Sequence, residues 1–173
     1  GAFYGPKIDI KMKDCLGREW QMGTVQLDFQ LPQRFNLSYI DREGNKKTPI
    51  MIHRAIFGSF DRFIGILTEH YAGAFPTWLS PVQVRVLPIA IAHNEYAKEI
   101  KEKFEEAGIR VELDQREEKI GYKIREAQLQ KIPYMIILGD KEIQVKAIGV
   151  RSRKNGDIGQ MTVENFIDKI KHE

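Results

Sequence analysis

PIMIHRAIFGSFDRFIGILTEHYAG, residues 49–73, joins an apolar run to an amphipathic one, and that junction decides the fold of the first part of the chain. Ile50 to Phe57 is rich in isoleucine, is too short to cross a bilayer and carries only His53 and Arg54 as polar residues, so it reads as a buried strand. Ser59 supplies an N-cap hydroxyl and Asp61 an acidic first turn, which starts a helix near Phe60. Along it, Phe60, Phe63, Ile64, Leu67 and Tyr71 recur at helical spacing and form a stripe predicted to face the core. Arg62, Gly65 and Glu69 fall on the opposite side, with Gly58 just ahead. Small residues beside an arginine leave room for a flat ligand, and a planar guanidinium stacks on aromatic rings while facing anionic groups. A purine nucleotide offers both features. An exposed pairing of Arg62 with Glu69 is the plainer alternative.

Upstream, a Gly5-Pro6 bend leads into alternation that puts Lys7 and Asp9 on one face and Ile8 and Ile10 on the other. Arg18 to Leu31 reads as a second strand. Strict alternation groups Thr24 and Gln26 with Trp20 and Met22 and sends Gln21 to the other face; a bulge at Gly23 would bring Gln21, Thr24 and Gln26 together. Asp41 to Lys47, with Gly44-Asn45, is a hairpin-type loop. Three strands with short connections and then a helix predict an antiparallel sheet backed by a helix.

Downstream, AGAFPTWLSP (72–81) ends the helix and places a domain boundary at 75/76. The pattern then alternates: strand QVRVL, a helix over Glu95 to Ala107, strand RVEL, a helix over Glu118 to Lys131, strand YMIIL after Pro133, a long or broken strand over Glu142 to Arg153, and a last helix after Thr162. Alternating strands and helices imply parallel strands. Basic residues gather at Lys141, Lys146, Arg151, Arg153 and Lys154, and a second set, Arg116, Lys119, Lys123 and Arg125, lies on the preceding helix.

The composition is that of an ordinary globular protein, and a net charge of +3 over 173 residues says little by itself about nucleic acid. Cys15, the single cysteine, excludes a disulfide framework or cysteine metal knuckle within one chain and points to a reducing cytoplasm. No apolar run reaches bilayer length and no signal-peptide order opens the chain, so no membrane association is expected. Neither a Ser-His-Asp arrangement nor a P-loop motif is present.

HRAIFGSFDRFIGIL resembles the third signature motif of class II aminoacyl-tRNA synthetases; with the upstream GAFYGPKIDI and REWQMGTVQLDF, the whole chain is similar to the threonyl-tRNA synthetase family. The resemblance implies an α/β fold, α+β overall. Residues 1–75 would form part of the class II antiparallel sheet with its motif-3 helix, and residues 76–173 a βαβαββα mixed-sheet anticodon-binding domain. It also implies roles: Lys7 and Arg62 as catalytic residues; Gln21, Thr24, Ser59 and Arg62 at ATP; Tyr4 and Gln26 at threonine; Glu142, Arg151 and Arg153 at tRNA; and His53 on a zinc ion whose remaining ligands this chain lacks. Met22 replaces a cysteine common in the family, which reads as a packing change.

The implied reaction is ATP-dependent activation of threonine, with Mg2+ accompanying ATP, followed by transfer to tRNA-Thr in a homodimeric parent. A zinc ion would separate threonine from isosteric valine through the hydroxyl. The chain opens on Gly1 and lacks the first two class II motifs, so a fragment without activity of its own is expected. The alternative is a non-catalytic RNA-binding protein built from the same parts.

Overall fold

The computed structural model describes residues 3–173, which divide into two units, Gly1–Tyr71 and Ala72–Glu173. The boundary expected at 75/76 falls inside the second. The first unit runs through β1 (Lys7–Lys13), β2 (Glu19–Asp28), the single-turn helix α1 (Leu31–Arg34), β3 (Tyr39–Ile40), β4 (Lys46–Lys47), β5 (Met51–Ala55) and α2 (Phe60–His70). β1, β2 and β5 form an antiparallel sheet, and β3 pairs separately with β4. The β3–β4 turn closes on the Asp41 carboxylate, which accepts from the Glu43 and Asn45 amides, and Gly44 takes the positive φ the turn needs.

Cross-strand pairs share a face, so Lys7, Gln26 and His53 lie together, next to Asp9, Thr24 and Ala55, while Ile8, Val25 and Arg54 occupy the other side. In the β1–β2 ladder Ile10 faces Gly23 but Lys11 faces Gln21. Met22 is therefore the extra residue of a β-bulge, and Gln21 swings onto the face of Thr24 and Gln26. Gly58 seals the bulge: at φ +67° its backbone lies so close that a Cβ would stand 2.9 Å from the Met22 carbonyl oxygen.

Two expectations for this unit change. The Ile50–Phe57 strand shortens to β5 and is not buried, with Ile52 63% exposed, because three strands and one helix leave the face of Ile8, Ile10 and Ile52 uncovered within this chain. On α2 the predicted stripe is largely open at Phe60 and Ile64, and the buried residue is Ile66. The helix is held by Phe63 against Phe57, at a ring separation of 4.5 Å, and by Ile66 beside Trp20.

The second unit runs through β6 (Val84–Pro88), α3 (Asn94–Glu106), β7 (Val111–Leu113), α4 (Ile120–Leu129), β8 (Tyr134–Leu138), α5 (Asp140–Gln144), β9 (Ile148–Ser152), β10 (Gly156–Met161) and α6 (Val163–Lys171). The sheet order is β10-β9-β8-β6-β7, with β6 parallel to β7 and β8, and β9 and β10 antiparallel. β6 is buried along its whole length, as an interior strand of a sheet covered on both its faces there must be. One face packs Val84, Val86, Ile136, Ile148 and Val150 under Ile100 and Phe104 of α3 and Phe166 of α6. The other packs Leu87 and Met135 under Ala127 and Ile132. Each such fully buried side chain contributes about 1.5–3 kcal/mol. The second cluster stops at β8, so Gly149 and Arg151 of β9 stay half-exposed on that face.

The mixed sheet matches the expected architecture, but the segment after Gly139 is richer than expected. Glu142 lies in the helical turn α5, not in a strand, because its carboxylate accepts the Gly139 amide at 2.9 Å and starts a helix there. Beyond β9 the chain turns at Lys154-Asn155 into β10, a strand the sequence reading did not anticipate.

Candidate functional site

On the polar face of the first sheet the hub is Asp9. It accepts from Gln21 Nε2 and Thr24 Oγ1, each at 2.8 Å, and pairs with Lys7 Nζ at 2.6 Å. Lys7 and then Thr24 hold its carboxyl below the ordinary carboxylate value. Lys7, Gln21 and Thr24 are thus brought together by an acid that sequence reading placed beside Lys7 but gave no role. Gln26 sits between Lys7 and His53 in the ladder. Tyr4 lies with its ring centroid 6.4 Å from that of His53. The preceding bend requires glycine, since a Cβ on Gly5 would stand 2.6 Å from the Leu27 carbonyl oxygen.

His53 Nε2 donates to Asp28 Oδ2 at 2.8 Å, and Oδ1 of the same fully buried carboxylate accepts from the Gln30 and Leu31 amides. Burial alone would raise the Asp28 pKa, but His53 and the two amides outweigh it and leave the group lowered. An acceptor-only carboxylate fixes the ring proton on Nε2, so Nδ1 is the nitrogen His53 can offer elsewhere. Zinc takes three or four protein ligands. The described residues gather no group of three or more His, Cys, Asp and Glu side chains, so by themselves they do not fit a zinc site.

Ser59 caps α2 by accepting the Arg62 amide at 3.3 Å. The Arg62 side chain donates from Nη1 to the Gln21 carbonyl at 3.0 Å, and its Cζ stands 5.5 Å from the centre of the Trp20 ring. Trp20 in turn donates to Asp14, whose carboxyl is held far below its usual range by the indole N–H and by Arg18. Asp14, Arg18, Trp20, Arg62, Gly65, Ile66 and Glu69 line a cavity of about 220 Å³. The expected face of Arg62, Gly65 and Glu69 is therefore a cavity wall. Arg62 is not ion-paired with Glu69; it already has an aromatic neighbour, Trp20, to which the sequence reading gave no role.

In the second unit, Glu142 places Oε2 on the Gly139 amide and Oε1 on the side-chain amide of Gln160. Arg151, on the open face of β9, has a buried Nε without a hydrogen-bond partner among the described residues. Arg153 behaves otherwise. Its guanidinium donates to the carbonyls of Lys131, Ala74 and Phe75, which engages three of its five N–H groups with backbone. The second basic set is also reduced: Lys123 is buried and donates to the Pro88 and Asp114 carbonyls, and Arg116 is bound to Asp114 and Glu126. Lys119 remains on the rim of a cleft of about 580 Å³ lined by Ile89, Ile91, Asn94 and Gln115. Between the lining residues Ala92 and Asn94, buried His93 accepts the Ala90 amide at Nδ1 and donates from Nε2 to Asp140.

Comparison with known proteins matches the family model described as the tRNA synthetase class II core domain (G, H, P, S and T) to residues 1–71 and that described as the anticodon binding domain to residues 83–173. The chain is 65% identical over its full length to the threonine–tRNA ligase of Caldanaerobacter subterraneus and 64% identical to that of Clostridium botulinum strain Loch Maree, but spans only 27% of either relative. A crystal structure of the RNA binding domain of threonyl-tRNA synthetase from Cryptosporidium parvum superposes with a TM-score of 0.91 at 42% identity, covering 99% of this chain and 44% of that one. The chain therefore belongs to the anticodon-binding-domain family, with a segment matching the tRNA synthetase class II core domain ahead of that domain.

Proposed function

We propose that this chain is the anticodon-reading part of a threonine–tRNA ligase and carries one wall of that enzyme's ATP and threonine site. The observation that carries the reading is Arg151, a cation on an uncovered sheet face whose Nε is buried without an acceptor among the described residues; on the same face, two residues along β9, Gly149 borders the carboxylate of Glu142. A donor and an acceptor on one open face suit the Watson–Crick edge of an unstacked base, which is how single-stranded RNA loops are read. Arg153 is proposed as a strut for this surface instead of a base contact.

In the longer protein, threonine is activated by ATP with Mg2+ and then transferred to the terminal hydroxyl of tRNA-Thr. Lys7, steadied by Asp9, faces an anionic group of ATP or the adenylate. Gln21 and Thr24 line the same face, Arg62 stacks on the purine, and Ser59 holds the start of its helix. Tyr4 and Gln26 flank the amino acid beside His53. Neither step needs a protein nucleophile, since positioning and electrostatic stabilisation supply the catalysis. No step is routed through zinc. A cytoplasmic setting follows from this role; among the described residues no helix is long and apolar enough to cross a membrane.

The test is binding of the 173-residue chain to a threonine anticodon stem-loop and to one with a swapped anticodon base, at two salt concentrations. Arg151→Ala and Glu142→Ala should each cost about 1–3 kcal/mol on the matched loop and erode discrimination, whereas Lys154→Ala should weaken both loops alike and flatten the salt slope. Equal losses for all three variants on both loops would reduce the surface to nonspecific electrostatics.

A further inference from the structure

Gln160 lies on β10, the strand absent from the sequence reading. Counting along β10 from Asp157, which faces Arg151, ordinary alternation would send Gln160 to the opposite side of the sheet, against Ile148 and the core. It does not go there. The ladder slips between Asp157 and Gly159: Gly159 faces Val150 and Gln160 faces Gly149, so Ile158 is the extra residue of a bulge. Gly159 adopts φ +89°, and its amide donates to Asp157 Oδ1 at 2.9 Å, which fixes the bulge locally. The result is that Gln160 stands on the face of Gly149 and Arg151, exposed, with its amide nitrogen on Glu142 Oε1.

Chemistry then fixes the direction of the amide. An ionised carboxylate only accepts, so the NH2 of Gln160 turns to Glu142 and its carbonyl oxygen turns away from it. Beneath lies Gly149, where a Cβ would come 3.0 Å from the Ile137 carbonyl oxygen and 3.7 Å from Glu142 Oε1. The missing side chain leaves a flat floor between Glu142 and Arg151.

We infer that Gln160 is a specificity-determining residue of the base-reading surface: it orients the Glu142 carboxylate and presents its own carbonyl to an amino or imino proton of the same RNA base. This rests on the base-reading role proposed for Glu142 and Arg151. The 173-residue chain, wild type and as Gln160→Leu, Glu142→Gln and the double variant, is titrated with matched and base-swapped stem-loops. Gln160→Leu should lower the ratio of matched to swapped affinity about tenfold. It should leave the melting temperature and the salt slope unchanged, and should add little to the loss already caused by Glu142→Gln. A Gln160→Leu chain that keeps the ratio while Glu142→Gln loses it overturns this inference and leaves base reading by Glu142 standing. Equal weakening on both loops also overturns it, assigning Gln160 a general contact. A wild-type chain that binds both loops alike overturns base reading itself, and this inference with it.

Discussion

Arg153→Ala is expected to destabilise the second unit without touching base discrimination. The guanidinium donates to three carbonyls, with 2.7 Å to Phe75 and 3.2 Å to Ala74 beside a close contact with Lys131. It thereby fastens the entering segment to the turn before β8. Hydrogen bonds to a charged group contribute about 1.5–3 kcal/mol each, and the long one and the exposed one are discounted, which leaves about 2–4 kcal/mol in total. For a unit of this size each kcal/mol moves the midpoint by roughly 4–8 °C, so a loss of about 10–30 °C is expected by calorimetry, with faster amide exchange at Ile132 and Tyr134. Arg153→Lys should recover little of it, because a point ammonium cannot span carbonyls that a planar fork reaches. A melting temperature within about 2 °C of wild type, combined with lost discrimination between stem-loops, would refute this and return Arg153 to the RNA surface.

Gly58→Ala should cost the first unit about 1–3 kcal/mol in denaturant titrations, from the left-handed φ and the approach to the Met22 carbonyl. Lys123→Met should cost about 1–3 kcal/mol by leaving the Pro88 and Asp114 carbonyls without their donor, and should not alter the salt slope of RNA binding. Acid should weaken the first unit. Asp9 and Asp14 have lowered pKa values when folded, so the unfolded chain takes up their protons first; the stability they supply is complete above the ordinary carboxylate pKa of about 4 and is lost as pH falls towards the folded values. Urea midpoints from pH 7 to pH 2 test this, and a flat profile below pH 4 would contradict it. If the chain is part of a threonine–tRNA ligase as proposed, Arg62→Ala in that enzyme should raise the Michaelis constant for ATP in pyrophosphate exchange, with a loss of about 2 kcal/mol of stacking; an unchanged constant would assign Arg62 to packing on Trp20.

Local chemistry was readable wherever one short segment decides the outcome. Ser59 caps α2 as its hydroxyl announced, and Thr162 caps α6 over Val163, Phe166 and Ile170. What escaped reading depends on residues far apart in sequence. Asp28 looks like an isolated acid in an apolar strand until β5 brings His53 alongside it. Trp20 has no evident role along its strand until α2 places Arg62 over its ring. Arg153 sits in a basic cluster, and only the fold reveals three backbone carbonyls converging on it.

The two bulges show why parity is least reliable where function is expected. Alternation along a strand assumes one residue for one across the ladder, and a single extra residue reverses the face of everything beyond it. Met22 does this in β2 and carries Gln21 to Asp9; Ile158 does it in β10 and carries Gln160 to Glu142. Both bulges adjoin a glycine, Gly23 in one strand and Gly159 in the other, and both deliver a glutamine amide to a carboxylate. A regular strand presents every second side chain to a face, about 7 Å apart, which is too sparse to surround a small ligand group. A bulge crowds an additional polar side chain onto that face at the cost of ladder bonds. The first was legible because the family resemblance asks for Gln21, Thr24 and Gln26 on one face, strict alternation separates them, and Gly23 lies between them. The second was not, because Gly156 and Gly159 dilute the apolar pattern of β10 until the strand itself reads as loop.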